Sequence, residues 1–426
     1  MISIVKPAQL STRRKTETGT PRQEMAVREI LSAVREQGDA ALLRYTLQFD
    51  QAALKALEVS EAEFEEAHQQ VSDTFIASLE KAAERIRRYH QRQQHSSWIE
   101  TEMDGTVLGQ LYRPLERVGI YVPGGRAAYP SSVLMNAIPA AVAGVEELVM
   151  VTPPLPDGRV YAPTLVAARK AGVTRVLKVG GAQAVAALAY GTESVPAVDK
   201  IVGPGNLYVA LAKRMVYGQV DIDMVAGPSE IVVVADHSAD PAHVAADLLS
   251  QAEHDPMASS VLITPSTPLA ETVVKELERQ CDRLERKEIA AESIRENGAI
   301  CLTENLKQAV DIANRLAPEH LQLMVEDPWS WVGRVKHAGA LFLGPHSPEP
   351  VGDYVAGPSH VLPTNGTARF FSPLGVDDFI KRTSLISYSR EALARDGETV
   401  VNLAEAEGLT AHAESIRVRQ EKEGEE

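Results

Sequence analysis

The stretch VTRVLKVGGAQAVAALAYGTESVPAVDKIVGPGNLYVALAKRMVYG, residues 173–218, decides the fold. It reads as a short apolar run (173–181), an alanine-rich segment with helical spacing (182–191), a second apolar run (198–206) and a second helix (207–218). Apolar runs of strand length that alternate with helices predict a parallel sheet covered by helices. The alternation extends both ways. EELVMVTPP (146–154) and APTLVAARKAG (162–172) precede it, the latter stopped by Gly172. After AGPSEIVVVAD (226–236) a second series begins: a helix around Gln251, then SSVLITP (259–265), a helix over 269–287, GAICLT (298–303), a helix over 305–317, LQLMV (321–325) and AGALFLG (338–344). The fold class expected is therefore α/β, with two Rossmann-like, incomplete, doubly wound domains and a cleft between them, a common ligand site.

The flanks differ. RQEMAVREILSAVREQG (22–38) and DTFIASLEKAAERIRRYHQRQQ (73–94) have helical apolar spacing, and TVLGQLYRPLERVGIYVPGG (106–125) reads as a hairpin around Arg113 to Arg117. Beyond Asp377 the chain is polar and mainly helical, with too few large apolar residues for a core of its own. The expected organisation is a helical N-terminal region over 1–110, a Rossmann-like domain over 111–235, a second over 236–376, and a helical C-terminal tail over 377–426 packed on another body.

With 426 residues the chain exceeds one ordinary core. Its net charge of −15 argues against a nucleic-acid binder, whose affinity rests on phosphate neutralisation. Two cysteines, Cys281 and Cys301, allow no disulfide framework, and no apolar run has the length of a signal peptide or membrane span, so a cytoplasmic location is expected. Cys281 lies among charges and Cys301 in an apolar run, and neither has a neighbour that would activate a thiolate.

Four stretches carry candidate chemistry. In ADLLSQAEHDP (246–256), Gln251 and His254 close a helix capped by Asp240 and Pro241. They read either as an amide oxygen and an imidazole for a metal ion, or as surface and capping groups. In NRLAPEHLQLM (314–324), Glu319 and His320 adjoin a strand, as acid–base partners or as an exposed turn. EPVGDYVAGPSHVLPTNG (349–366) places Asp353 and His360 in a long Gly/Pro-rich loop, and AEAEGLTAHAESIRVR (404–419) holds Glu407 and His412. Tight Gly/Pro turns at the predicted strand ends suit a nucleotide, although the glycine pattern G-x-G-x-x-G is absent. Gln183 and Asn206 at these turns read as nucleotide contacts or as helix-start caps.

These stretches, in this order, closely resemble the histidinol dehydrogenase family. The most specific part is IDMVAGPSEIVVVADHSADPAHVAADLLSQAEH (222–254); YVPGG, GGAQA, GPGN, APEHLQ, GDY, GPSHVLPT and EGLTAH add to it. The resemblance implies a zinc- and NAD-dependent oxidation of L-histidinol to L-histidine through histidinal. It implies Gln251, His254, Asp353 and His412 as ligands of one Zn2+ per subunit, and Ser229, His360 and Glu407, with His320 and the metal ligands, as substrate contacts. Tyr121, Gln183 and Asn206 would contact NAD. His320, with a pKa expected near neutrality, would be the base, and Glu319 would activate water. The partner expected is a second copy of the chain, a homodimer in which Glu407 and His412 cross the interface. Alternatives left open are a zinc/NAD dehydrogenase of another polar alcohol or diol, a zinc hydrolase, and a non-catalytic binding protein.

Overall fold

The computed structural model describes residues 2–10, 19–124, 129–225 and 227–421. The chain divides into two compact units, Met1–Gln93 with Leu115–Phe379, and Gln94–Pro114 with Ile380–Glu426.

The first unit contains two parallel sheets. In the first sheet the spatial order is Arg175–Lys178, Glu147–Thr152, Arg117–Tyr121, Lys200–Val202 and Asp221–Ile222. Numbered along the chain, that is 3-2-1-4-5, a doubly wound order that reverses between the first and fourth strands. The second sheet repeats it with Ala299–Leu302, Ser259–Thr264, Glu230–Ala235, His320–Met324 and Ala340–Leu343, and the short strand Ser3–Val5 adds to its edge. The mixed α/β fold expected from the alternation is therefore present. Both faces of each sheet are covered, which is why its strands read as unbroken apolar runs. Ile231, Val233 and Leu262 face one core with the helices Pro241–Ala252 and Thr267–Cys281; Val232, Val234, Val261 and Leu321 face the other with Leu306–Leu316. The N-terminal helices pack on the first sheet: Val27, Leu31 and Leu42 on one face, Leu79, Ala83 and Ile86 on the other.

The second unit is a three-stranded antiparallel sheet, ordered Ile380–Ser387, Val107–Pro114, Trp98–Thr101, followed by the helices Arg390–Ala406 and Thr410–Glu421. Here one expectation fails. Val107–Pro114 and Arg117–Tyr121 do not form a hairpin: the former pairs with Ile380–Ser387 and Trp98–Thr101, the latter joins the first parallel sheet. The tail opens with the strand Ile380–Ser387 ahead of its two helices. Each reflects pairing over long sequence separations, which leaves no local signal.

The turn after Lys200–Val202 is pinned from beneath. Gly203 has φ +109, and a Cβ there would lie 2.1 Å from the Tyr121 carbonyl oxygen, so only glycine fits. Its N–H donates to Asp223 Oδ2 at 2.8 Å, and its carbonyl accepts from Lys213 Nζ at 3.0 Å. Lys213 also pairs with Asp223, both side chains being almost fully buried. Removing one partner of a buried pair leaves an uncompensated charge, a cost of about 3–5 kcal/mol. Lys213→Met should therefore lower the unfolding free energy by about 3 kcal/mol or more, read by urea titration; a loss below about 1 kcal/mol would contradict this account of the turn.

Candidate active site

The centre of the first unit is built at the amino ends of the second sheet's strands. Strands Glu230–Ala235 and His320–Met324 are parallel, with His320 paired to Ile231. That register brings Glu319 and His320 against the start of Glu230–Ala235. Glu319 Oε2 accepts from the Glu230 N–H at 2.9 Å, and His320 Nδ1 meets the Glu230 carbonyl oxygen at 3.1 Å. A carbonyl only accepts, so Nδ1 carries the proton and Nε2 keeps its lone pair. Nε2 is buried without a hydrogen-bond partner and lies 3.9 Å from Asp353 Oδ1. The turn before Glu230 is tied down by Gly227 N–H donating to Thr364 Oγ1 at 2.7 Å, and Asn365 N–H donates to Glu230 Oε1 at 2.8 Å. Ser229 is half-buried in this turn.

A second wall comes from the helix Pro241–Ala252. Asp240 caps it by accepting from the Ala242 N–H at 2.8 Å. Gln251 in its last turn is fully buried, and both amide atoms lack a partner among the described residues. His254 follows the helix end, its N–H donating to the Gln251 carbonyl at 3.3 Å, and it is solvent-accessible. The third wall was expected to be a loop but is a short helix, Glu349–Tyr354. Spacing of four residues places Glu349 and Asp353 on one helical face. Gly352 allows this helix close to the sheet, since a Cβ there would lie 2.7 Å from the Phe342 ring. His360 Nδ1 donates to the Asp353 carbonyl at 3.1 Å, and its Nε2 stands 3.3 Å from Ser132 Oγ on the helix Pro130–Ala143.

One ligand atom each from His254, Glu349 and Asp353 lies within 4.8 Å of the others, the one such metal-competent group of His, Cys, Asp and Glu among the described residues. Gln251, three residues before His254, adds a buried amide oxygen in need of a partner. Amide oxygen, imidazole and carboxylate are a donor set that suits a divalent ion such as Zn2+, so the residues fit the metal. Glu349 was missed in the sequence because Pro348 and Pro350 disguise a helix; its four-residue spacing from Asp353 was the available signal.

Electrostatics set the protonation states. Burial, joined by other carboxylates, raises Glu319 well above the usual carboxylate range. Burial likewise raises Glu349, with Asp353 and Asp247 adding to it, and brings Asp353 to about 7. Burial, with His254 and His360 nearby, pulls His320 down to about 3, and burial with His254 beside it brings His360 to about 4. The expectation of a His320 pKa near neutrality is thus corrected for the chain alone: the imidazole is neutral throughout the physiological range. Burial raises both thiols, so neither Cys281 nor Cys301 is an activated nucleophile.

The groups expected to meet NAD lie at the carboxyl ends of the first sheet's strands, or at the helix starts that follow them. Tyr121 is buried, its hydroxyl accepts from the Gly181 N–H at 3.0 Å, and burial pushes its pKa up to about 12. Gln183 is buried with Oε1 unpartnered. Asn206 caps the helix Leu207–Val216, accepting from the Tyr208 and Val209 N–H groups at 3.0 and 3.2 Å. Glu407 and His412 belong to the second unit, where both are exposed, and the metal-competent group contains neither.

Two doubly wound parallel modules, one with a buried carboxylate–imidazole centre, define a doubly wound α/β protein. A sequence model of histidinol dehydrogenase matches residues 12–420. A histidinol dehydrogenase of Halalkalibacterium halodurans is 58% identical over 414 residues, covering 97% of this chain and 98% of that protein, and one of Bacillus subtilis is 54% identical, covering 96% of each. The crystal structure of histidinol dehydrogenase from Elizabethkingia anophelis superposes with a TM-score of 0.93 at 36% identity, covering 97% of this chain and 95% of that one. The chain belongs to the histidinol dehydrogenase family.

Asp247, one turn before Gln251, offers a test of the buried electrostatics. Burial, opposed by the Gln322 amide beside it and by His243, raises it to about 6. The folded chain then holds the proton more tightly than the unfolded one. The associated stability is present below about pH 4 and is lost as pH rises through about 6. In metal-free protein, the unfolding free energy of the parent minus that of Asp247→Asn should fall by about 2 kcal/mol between pH 4.5 and 7.5. A pH-independent difference would contradict the assignment.

Proposed function

We propose that this chain oxidises L-histidinol to L-histidine through histidinal, passing two hydrides to two NAD, as the last step of histidine biosynthesis. The observation that carries the reading is the His320 ring: its Nδ1–H is held by the Glu230 carbonyl with Glu319 Oε2 3.7 Å from Nδ1, and its Nε2 lone pair is bare, 3.9 Å from Asp353 Oδ1. A neutral imidazole fixed in this tautomer is ready to take the alcohol proton as hydride leaves the adjacent carbon. The product of that step is an aldehyde, and its oxidation needs water added to the carbonyl. Glu319, in its carboxylate form, takes the proton of that water; once His320 has released its first proton to solvent, the hydrate loses its second hydride with His320 again as base.

Gln251, His254 and Asp353 would hold a Zn2+ ion, together with His412 of a second copy. When bound, such an ion supplies an electrophilic anchor for the nitrogen atoms of the substrate. Ser229, His360 and Glu407 complete the substrate contacts. Neutral His360, fixed by the Asp353 carbonyl, orients rather than titrates. Tyr121, Gln183 and Asn206 contact NAD; the unpartnered Gln183 Oε1 and the Asn206 amide N–H2, not used by the cap, support this. We propose a homodimer in which Glu407 and His412 reach the partner's centre. The second unit supports it with a small core of Val401, Ala404 and Ala413 and with exposed Trp98, Ile99, Ile386 and Leu403. A cytoplasmic location accords with the two free cysteines and with no described helix long and apolar enough to cross a membrane.

His320→Asn should lower turnover by about a hundredfold to ten-thousandfold while zinc content, measured by mass spectrometry, stays at the parent level. Near-parent turnover would remove His320 as the base. Glu319→Gln should impair conversion of histidinol to histidine far more than reduction of supplied histidinal to histidinol. Equal losses in both directions would remove Glu319 as the group that activates water.

A further inference from the structure

Two motifs of the sequence, GPSE (227–230) and VLPTNG (361–366), meet beside the acid–base pair. The Gly227 N–H donates to Thr364 Oγ1 and the Asn365 N–H donates to Glu230 Oε1, so adjacent residues of one loop grip both ends of the other turn. The fit is tight: a Cβ on Gly227 would lie 1.8 Å from Asn365 Nδ2. The gripping loop is itself stiff. Val361, Leu362 and Thr364 are buried, and the Thr364 carbonyl accepts from the N–H and the hydroxyl of Thr367 at 3.1 and 2.7 Å. Asn365 and Gly366 have φ 55 and 76, left-handed backbone that these two residue types adopt most readily. The loop also backs onto the other side of the pair. A Cβ on Gly339 would lie 2.6 Å from the Glu319 carbonyl oxygen and 3.2 Å from Pro363 Cδ.

What the loop grips is the peptide that serves both Glu319 and His320. Glu230 opens its strand and lies one residue before the first pair with the neighbouring strand, His320 with Ile231. On the far side the Ser259 N–H holds the Ser229 carbonyl at 3.0 Å. On the near side that place is taken by Thr364 and Asn365. Thr364 has no part in the proposed chemistry, yet its hydroxyl is the acceptor that the Gly227 N–H uses. We propose that Thr364 and Asn365 are positioning residues of the acid–base pair: by clamping the turn 227–230 they fix the Glu230 peptide, and through it Glu319 and His320 together. This rests on the roles given to Glu319 and His320 under the proposed function.

The test uses the full-length, metal-loaded protein. Thr364→Val keeps the volume and removes the acceptor for the Gly227 N–H, whereas Thr364→Ser keeps the hydroxyl. In the Val variant kcat should fall by about ten- to a hundredfold, the scale expected when reacting groups are misplaced by about 1 Å. Oxidation of histidinol and oxidation of supplied histidinal should slow by similar factors, because one peptide holds both groups. The KM for NAD should stay within about twofold of the parent's and zinc content at the parent level, so the loss falls on kcat. Amide hydrogen exchange over 227–231, read by mass spectrometry without substrate, should quicken in Val and not in Ser. The Ser variant should recover kcat to within about threefold. A Val variant with parent kcat, whatever its Tm, overturns the proposal, as do a Ser variant as slow as Val and a loss confined to one half-reaction. If the Val variant does not fold, Gly227→Ala decides: its methyl meets the Asn365 side chain and should slow turnover, and Asn365→Gly added to it should restore the rate. A double variant as slow as Gly227→Ala overturns the clamp. A parent that oxidises no histidinol overturns the functional reading, and this inference with it. An active parent beside an unaffected Val variant overturns the inference alone.

Discussion

The parallel register that sets His320 beside Ile231 is the constraint on which the centre depends. One backbone group, the peptide of Glu230, serves two side chains through it: its N–H holds the Glu319 carboxylate and its carbonyl holds the His320 imidazole. Side chains alternate along a strand, so a slip of one residue would turn His320 to the opposite face. The alternation of His320 and Gln322 with Leu321 and Leu323 in one of these strands opposes that slip. Leu321 and Leu323 share a core with Val232 and Val234, and a slip of one residue would turn His320 and Gln322 toward it. The core that stabilises the sheet thus also fixes the tautomer of His320.

Around this register stand groups whose electrostatics conflict in the isolated chain. Glu319, Glu349 and Asp353 are pushed up by burial, and His320 and His360 are pushed down. Glu319, Glu349, His320 and His360 therefore favour their neutral forms, and Asp353 changes form near pH 7. The causes raising the carboxyls are burial and one another, with no lysine or arginine among them. Under the proposed function, the balancing cations come from outside: a divalent ion, and a substrate carrying an amine. The Lys213–Asp223 pair beneath Gly203 shows the contrasting solution, in which a buried carboxylate has its cation built in. That pair holds a turn in place, whereas no lysine or arginine is paired with Glu319, Glu349 or Asp353 among the described residues.

Much of the fold was legible because parallel strands covered on both faces read as continuous apolar runs, and because glycines such as Gly144 and Gly172 end helices in the left-handed conformation. What escaped was set by distant partners. The strand Ile380–Ser387 is polar and exposed along most of its length, and its pairing with Val107–Pro114 spans most of the chain, so the local reading chose a hairpin instead. The strand Ser3–Val5 is too short to signal itself. In the centre, residue types pointed to Glu319, His320, Gln251, His254 and Asp353, but burial decides their protonation, and burial belongs to the fold. Hence the neutral-pH expectation for His320 failed, and Glu349 stayed hidden behind two prolines.

The most direct test of the account counts products. Metal-loaded protein receives limiting L-histidinol and excess NAD, and NADH and histidine are both quantified. Two NADH and one histidine per histidinol are expected if His320 and Glu319 serve both half-reactions in one centre. One NADH per histidinol with aldehyde accumulating, or no NADH from a protein that binds both metal and NAD, would contradict it.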